Sequence, residues 1–292
     1  MPALVAPRLP EVLGAWHFEP PVVAALVVAA LAYRHGCRSG AGVAPGRQWA
    51  FYGGLATVAL ALLSPLATYA EALLSVHMAQ HLLLTLVAAP LIVLGRPLTV
   101  LSGGRSMRPG HAGRQLRSLA PVARVAGHPL VAWVAFAAAG WAIHFSALFD
   151  LALRSPAAHA AEHALFLAPA LLFWAPVAGA GMGSRPPLSH PLRLLYLAVA
   201  MPQNTFLALA IFSTGDVLYP AYAEVARNWG ASPMSDQRTA GGLMWVAGDL
   251  LLLVSVLLVA NAWANHEARQ NAAAEAATEA ESPSGPLSGR RA

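Results

Sequence analysis

Seven long apolar runs, at 22–33, 49–66, 76–94, 130–149, 160–177, 194–212 and 241–262, occupy most of this chain of 292 residues. A helix needs roughly 20 mostly apolar residues to cross a bilayer, so the length suits about seven crossings joined by short loops. Backbone amides in lipid must find their partners within the same element, and runs of this length imply helices rather than barrel strands. Composition agrees. The chain is 57% hydrophobic and only 11% charged, too few charges to coat a water-facing surface. The first run is short, and Pro20 and Pro21 extend it at its start.

Charge sets the expected orientation. The net charge of +5 comes from arginine, because the sequence contains no lysine. In a soluble protein this basicity would point to nucleic acid; here sidedness accounts for it, and no nucleic-acid partner is expected. Loops after runs one, three and five, with the C-terminal tail, carry Arg34, Arg38, Arg47, Arg96, Arg105, Arg108, Arg114, Arg117, Arg124, Arg185, Arg193, Arg269, Arg290 and Arg291. The opposite side holds Arg8, Arg154, Arg227 and Arg238. The positive-inside rule then places the N-terminus outside and the C-terminus in the cytoplasm, which requires an odd number of spans. The expected organisation is an extracytoplasmic segment over 1–19, a seven-helix membrane domain over 20–263 and a disordered cytoplasmic tail over 264–292, rich in Ala, Glu, Ser and Pro. The basic, glycine-rich loop 96–127 is expected to be a solvated cytoplasmic loop, with contact to anionic headgroups as the alternative. A lone cysteine, Cys37, excludes an intrachain disulfide and a CxxC metal site. No cleavable signal peptide is expected from residues 1–21.

Sorted by depth, the histidines divide into two groups. His77 and His81 open the third span, His144 lies within about two turns of the outer end of the fourth, and His159 and His163 open the fifth. All five fall in the outer leaflet or at its rim, with His17 on the same side. His35, His111, His128, His190 and His266 fall in or beside cytoplasmic loops. His77/His81 and His159/His163 are i,i+4 pairs, so each pair shares one helix face. Any single intramembrane histidine serves equally well as an interhelical hydrogen-bonding group. Five at one depth on three helices point instead to a metal or haem site, since imidazole is the commonest metal ligand and ionisable groups in a bilayer are costly.

Other residues widen the choice of chemistry. Met78 beside His77, Met244 near the outer end of the seventh span and Met234 in the loop before it lie on the same side, and thioethers with imidazoles suit Cu(I), although a methionine in a membrane helix usually only packs. The string from His159 to His163, HAAEH, matches H-x-x-E-H, with Glu162 as the general base of a zinc hydrolase. Deeper in the bilayer, Gln203 and Asn204 follow a helix-kinking Pro202, and Asp249 lies mid-span. Helix-to-helix hydrogen bonding is the favoured reading of these polar groups, with a proton or ion path as the alternative.

Six segments then carry a resemblance: WHFEP (16–20), SPLATYAEALLSVHMAQHLLL (64–84), WAIHFSALFDLAL (141–153), HAAEHALFLAPALLFWAPV (159–177), MPQNTFLA (201–208) and DQRTAGGLMWVAGDL (236–250). In this order they resemble the CtaG-like assembly factors of caa(3)-type cytochrome c oxidase. At Ala67-Thr68-Tyr69 the chain departs from the acidic residue that the resemblance leads one to expect near the membrane rim. The resemblance implies a non-enzymatic, multi-pass protein of the bacterial plasma membrane that works with cytochrome c oxidase subunits. It implies copper delivery to the oxidase, and it points to His77, Met78, His81, His144, His159, Glu162 and His163. A haem-binding or quinone-linked redox protein and an intramembrane zinc hydrolase are the alternatives.

Overall fold

The computed structural model describes residues 8–39, 42–102, 125–179, 187–225 and 227–281. The described residues form helices and connecting turns, with no β-sheet among them. After a short α1 (Leu9–Gly14) come α2 (Pro20–Arg38), α3 (Pro45–Leu63) and α4 (Pro65–Ala70). Next, α5 (Leu74–Leu82), a π-helical stretch Leu83–Ala88 and α6 (Ala89–Leu94) follow one another without interruption, and α7 (Pro97–Leu101) comes after them. The second half comprises α8 (Pro129–His144), α9 (Ala147–Arg154), α10 (Pro156–Val177), α11 (His190–Ser213), α12 (Pro220–Glu224) and α13 (Pro233–Glu281).

Prolines sit in the first turn of most of these helices, where the missing N–H is one that a helix start leaves unbonded in any case. Five of the described helices are long and apolar enough to cross a bilayer, and a sixth is added if the pair α8 and α9 is one broken span. The second apolar run, expected to span, forms the 19-residue α3 but is not in this set. Its first turn holds Arg47 and Gln48, which dilute its apolar character. The fourth run, expected as one helix over 130–149, breaks after His144 and turns by 67° into α9. Ser146 caps the new helix by accepting the Leu148 N–H at 3.3 Å, which stabilises the break.

Two further expectations are corrected. The tail from residue 264, expected to be disordered, continues α13 as helix to Glu281, exposed as far as Glu279. Ala, Glu, Gln and Arg are strong helix formers, and extending a helix already nucleated by the span avoids the cost of starting one. Met234, placed in a loop, lies in the first turn of α13. Of the basic loop 96–127, residues 103–124 lie outside the described residues, as do 282–292 of the tail.

Packing centres on the segment from Leu74 to Leu94, where 61% of the residues in the most apolar stretch are buried inside the bundle against 6% in α2. Its N-terminal half joins a cluster with Ile143, Phe149, Phe166, Tyr219, Tyr222 and Met244. The C-terminal half packs with Phe173, Trp174, Leu197 and Leu252. Close helix approach is built into α3: a Cβ on Gly54 would meet Ile92 Cγ1 at 2.6 Å. Gly95 is equally crowded, with Phe51 Cβ at 2.6 Å from its would-be Cβ, and its carbonyl accepts the Tyr33 hydroxyl at 2.8 Å. A third layer of Tyr33, Phe51, Val58 and Leu84 thereby ties α2 and α3 to the central segment.

Candidate metal centre

Helix α5 begins at Leu74 with its backbone N–H donating to Asp236 Oδ2 at 2.6 Å, while Ser75 Oγ donates to Asp236 Oδ1 at 2.6 Å. An aspartate on α13 thus caps α5 from across the bundle, satisfying donors that a helix start leaves open. One turn further on, the i,i+4 spacing turns His77 and His81 to the same face, their ring centroids 4.4 Å apart. On α10, His159 and His163 stand 4.3 Å apart by the same rule. The two pairs face each other: the His77 ring lies 5.4 Å from His159 and 6.4 Å from His163, and His81 lies 6.2 Å from His163.

Glu162 comes in from α10 between them. Its Oε2 is 3.5 Å from His77 Nε2 and its Oε1 is 3.7 Å from His81 Nε2. His144, at the end of α8, has its ring 6.2 Å from that of His81 and its Nε2 3.4 Å from Met78 Sδ. The structure therefore brings together all seven residues singled out in the sequence. His77, Met78, His81, His144 and Glu162 are each less than 5% exposed, and Phe149 and Phe166 pack on the histidine rings, Phe166 at 4.0 Å from His81. His17 stays outside, half exposed beside Glu19 at 3.5 Å. On the other side of the molecule, His128 caps α8 and the rings of His190 and His266 stand 5.3 Å apart. His111 lies outside the described residues.

Hydrogen bonds determine which ring nitrogens are free. Tyr222 donates its hydroxyl to the Ala70 carbonyl at 2.8 Å, since a carbonyl only accepts. Its oxygen is then the acceptor for His77 Nδ1–H at 2.9 Å. Neutral His77 consequently carries its hydrogen on Nδ1 and presents a lone pair at Nε2, toward His81 and Glu162. Outer partners of this kind orient metal-ligating histidines generally. Sequence reading missed Tyr222, because it lies on the short α12 with no spacing or motif to mark it. Asp236 opens the 236–250 segment, but nothing local shows that it caps α5.

The centre leaves polar atoms without partners. His81 Nδ1, His159 Nε2, His163 Nε2 and both Glu162 oxygens are buried and have no hydrogen bond among the described residues. Buried polar atoms are almost always satisfied, and an unmet one costs roughly 1–3 kcal/mol, more if charged. The four on His159, Glu162 and His163 suit a cation as their common partner. Two triads have ligand atoms all within 4.8 Å of one another: His77, His159 and His163, and His77, His81 and Glu162. With bonds of about 2.0–2.1 Å, the 2.9 Å between the Nε2 atoms of His77 and His81 subtends close to a right angle at a shared ion.

Beside the centre, a cavity of about 50 Å³ runs from Met78, His81 and His144 to Gln203, Asn204 and Met244. Asn204 also reaches Asp249. Its Nδ2 donates to Asp249 Oδ1 at 2.9 Å and to the Met244 carbonyl at 3.1 Å, while Thr205 Oγ1 donates to Asp249 Oδ2 at 2.5 Å. This is the helix-to-helix bonding expected of the deeper polar residues. Gly248 makes room for it, since a Cβ there would stand 2.7 Å from Asn204 Nδ2.

Comparison with known proteins agrees with this arrangement. An uncharacterized protein of Mycobacterium bovis and one of Mycobacterium tuberculosis are each 30% identical over 274 residues, covering 90% of this chain and 41% of theirs. An uncharacterized protein of Mycobacterium leprae is 26% identical over the same coverage. The chain thus spans about two-fifths of the length of these curated relatives. No solved structure matches it significantly. The family model for the cytochrome c oxidase caa3 assembly factor matches residues 22–266, a stretch that includes every residue of the histidine centre, and the chain belongs to that family.

Proposed function

We propose that this protein is a non-enzymatic assembly factor for haem–copper cytochrome c oxidase, which takes copper as cargo in its outer-leaflet histidine centre and passes it to an oxidase subunit. Membership of the oxidase assembly family supports the assembly role and the oxidase as partner. The observation that carries the copper reading is the group of four unpartnered buried nitrogen and oxygen atoms on His159, Glu162 and His163. Imidazole nitrogens with a thioether at hand suit copper, and a site without thiolate releases its ion more readily than a cysteine trap would.

The arginine distribution supports the accompanying topology: seven spans, N-terminus outside, C-terminus in the cytoplasm of a bacterial cell. With α3 and the broken pair α8 and α9 each taken as a span, the long helices number seven. The centre then opens on the extracytoplasmic side, where copper would meet the oxidase. Haem fits poorly, because the cavity at the centre is about 50 Å³ and ligand pockets of drug size run to roughly 300–1,000 Å³. The hydrolase reading is disfavoured by Glu162, whose carboxylate is directed at the histidines of α5.

Metal analysis of the purified full-length protein provides the test. The wild type is expected to hold copper after loading with Cu(II) and desalting, and the His77→Ala, His81→Ala double variant to lose nearly all of it. Unchanged copper content in the double variant, at equal folded yield, would remove the reading.

A further inference from the structure

Within the centre, the ligands differ in softness and are not interchangeable. His77, His81, His159, His163 and Glu162 supply imidazole nitrogens and a carboxylate, the donor set of a divalent ion. His144 and Met78 form a second arrangement a few ångströms away. His144 Nδ1 lies 2.7 Å from the Gly140 carbonyl. That oxygen only accepts, so the nitrogen carries the hydrogen and neutral His144 offers a bare lone pair at Nε2. This lone pair faces Met78 Sδ at 3.4 Å, and a thioether has no hydrogen to give. Two acceptors thus confront each other in the interior, with Met78 fully buried and His144 4% exposed. A cation between them turns this mismatch into ligation. With ligand bonds of about 2.0–2.3 Å, a 3.4 Å edge gives an angle near tetrahedral.

A third soft donor shares the space. Met244, on α13 and 5% exposed, lines the same cavity as Met78 and His144, and no aspartate or glutamate is among the residues that line it. Donors that are all neutral leave a divalent ion uncompensated and suit a soft monovalent one. His81 lines this cavity too and also belongs to the triad with His77 and Glu162, so one imidazole is common to both arrangements.

We propose that the centre comprises two stations of different metal preference: a nitrogen–oxygen station of His77, His81, His159, Glu162 and His163, and a thioether–imidazole station of Met78, His144 and Met244 that selects a soft monovalent ion, Cu(I). His81 is the bridge between them. This rests on the copper reading above and divides its ligand set.

The test uses the full-length protein in lipid nanodiscs with two probe ions, Ag(I) for the soft station and Co(II) for the nitrogen–oxygen station. Met78→Leu with Met244→Leu conserves volume and hence folding. It is expected to weaken Ag(I) binding at least about tenfold, to remove sulfur scattering from the X-ray absorption spectrum of the Cu(I)-loaded protein and to leave Co(II) binding unchanged. His159→Ala with His163→Ala is expected to do the reverse. Ag(I) binding untouched by the methionine substitutions, or a wild-type Cu(I) spectrum without sulfur, overturns the two-station proposal while copper held by the histidines keeps the wider reading intact. Binding of no copper, silver or cobalt by the wild type overturns both.

Discussion

Two of the carboxylates among the membrane helices of this protein, Asp249 and Glu162, are treated in opposite ways. Asp249 accepts hydrogen bonds on both oxygens, from Asn204 and Thr205. Glu162 accepts none on either oxygen among the described residues, although it is the more deeply buried of the two. The first arrangement is complete within the chain and joins α11 to α13, whose contact is the most extensive in the fold. The second is incomplete, surrounded by histidine nitrogens in the same condition. A polar group that serves structure is satisfied by the structure, whereas one kept for a ligand is left open and makes the apo fold less stable than it need be. On this criterion the deep Asp249 cluster is an interhelical clasp, and the histidine–glutamate centre is the proposed metal site.

Substitutions can break that contrast. The largest effect is expected from Glu162→Gln, which removes the negative charge from the centre. Copper affinity should fall about 10- to 100-fold, while the apo protein melts at the same temperature or higher, because an unsatisfied buried carboxylate is gone. Equilibrium competition with a copper chelator and a thermal melt together check both halves, and a large loss of apo stability would mean that Glu162 is structural.

Gly248→Ala attacks the other member of the comparison. Its Cβ would stand 2.7 Å from Asn204 Nδ2, so overpacking should cost about 1–3 kcal/mol and leave bound copper per folded molecule unchanged. A reversible unfolding titration in mixed micelles measures the first, and metal content the second. Thr205→Val is the mildest. It deletes one of the two donors to Asp249, and interhelical hydrogen bonds in membrane proteins average about 0.6 kcal/mol. A loss of copper from either variant would show that the two clusters are coupled and that the clasp is more than structural.

Much of the site was legible before the fold. The i,i+4 spacing of His77 with His81 and of His159 with His163 forces each pair onto one helix face, whatever the tertiary arrangement. The positive-inside count assigned both pairs and His144 to one depth, and the structure brings the five together with Met78 and Glu162. What failed is also instructive. The helix break after His144 is decided by Ser146 capping a new turn, a local competition that an unbroken apolar run conceals. The helical continuation of α13 to Glu281 is masked by a composition that suits disorder, although its Ala- and Glu-rich residues extend an existing helix readily.

Hydrophobic run length and backbone satisfaction in lipid, both local quantities, determined from sequence that this chain is a bundle of membrane helices. Helical periodicity, equally local, determined which histidines act in pairs. Only the tertiary structure decided that Glu162 turns toward the α5 histidines, that Tyr222 holds the hydrogen of His77 on Nδ1 and that Asp236 caps α5 from α13. It alone separated the satisfied carboxylate from the open one. Those relations join residues 81 to 162 positions apart in the chain, and no local pattern records which distant donor a side chain will meet once the helices pack.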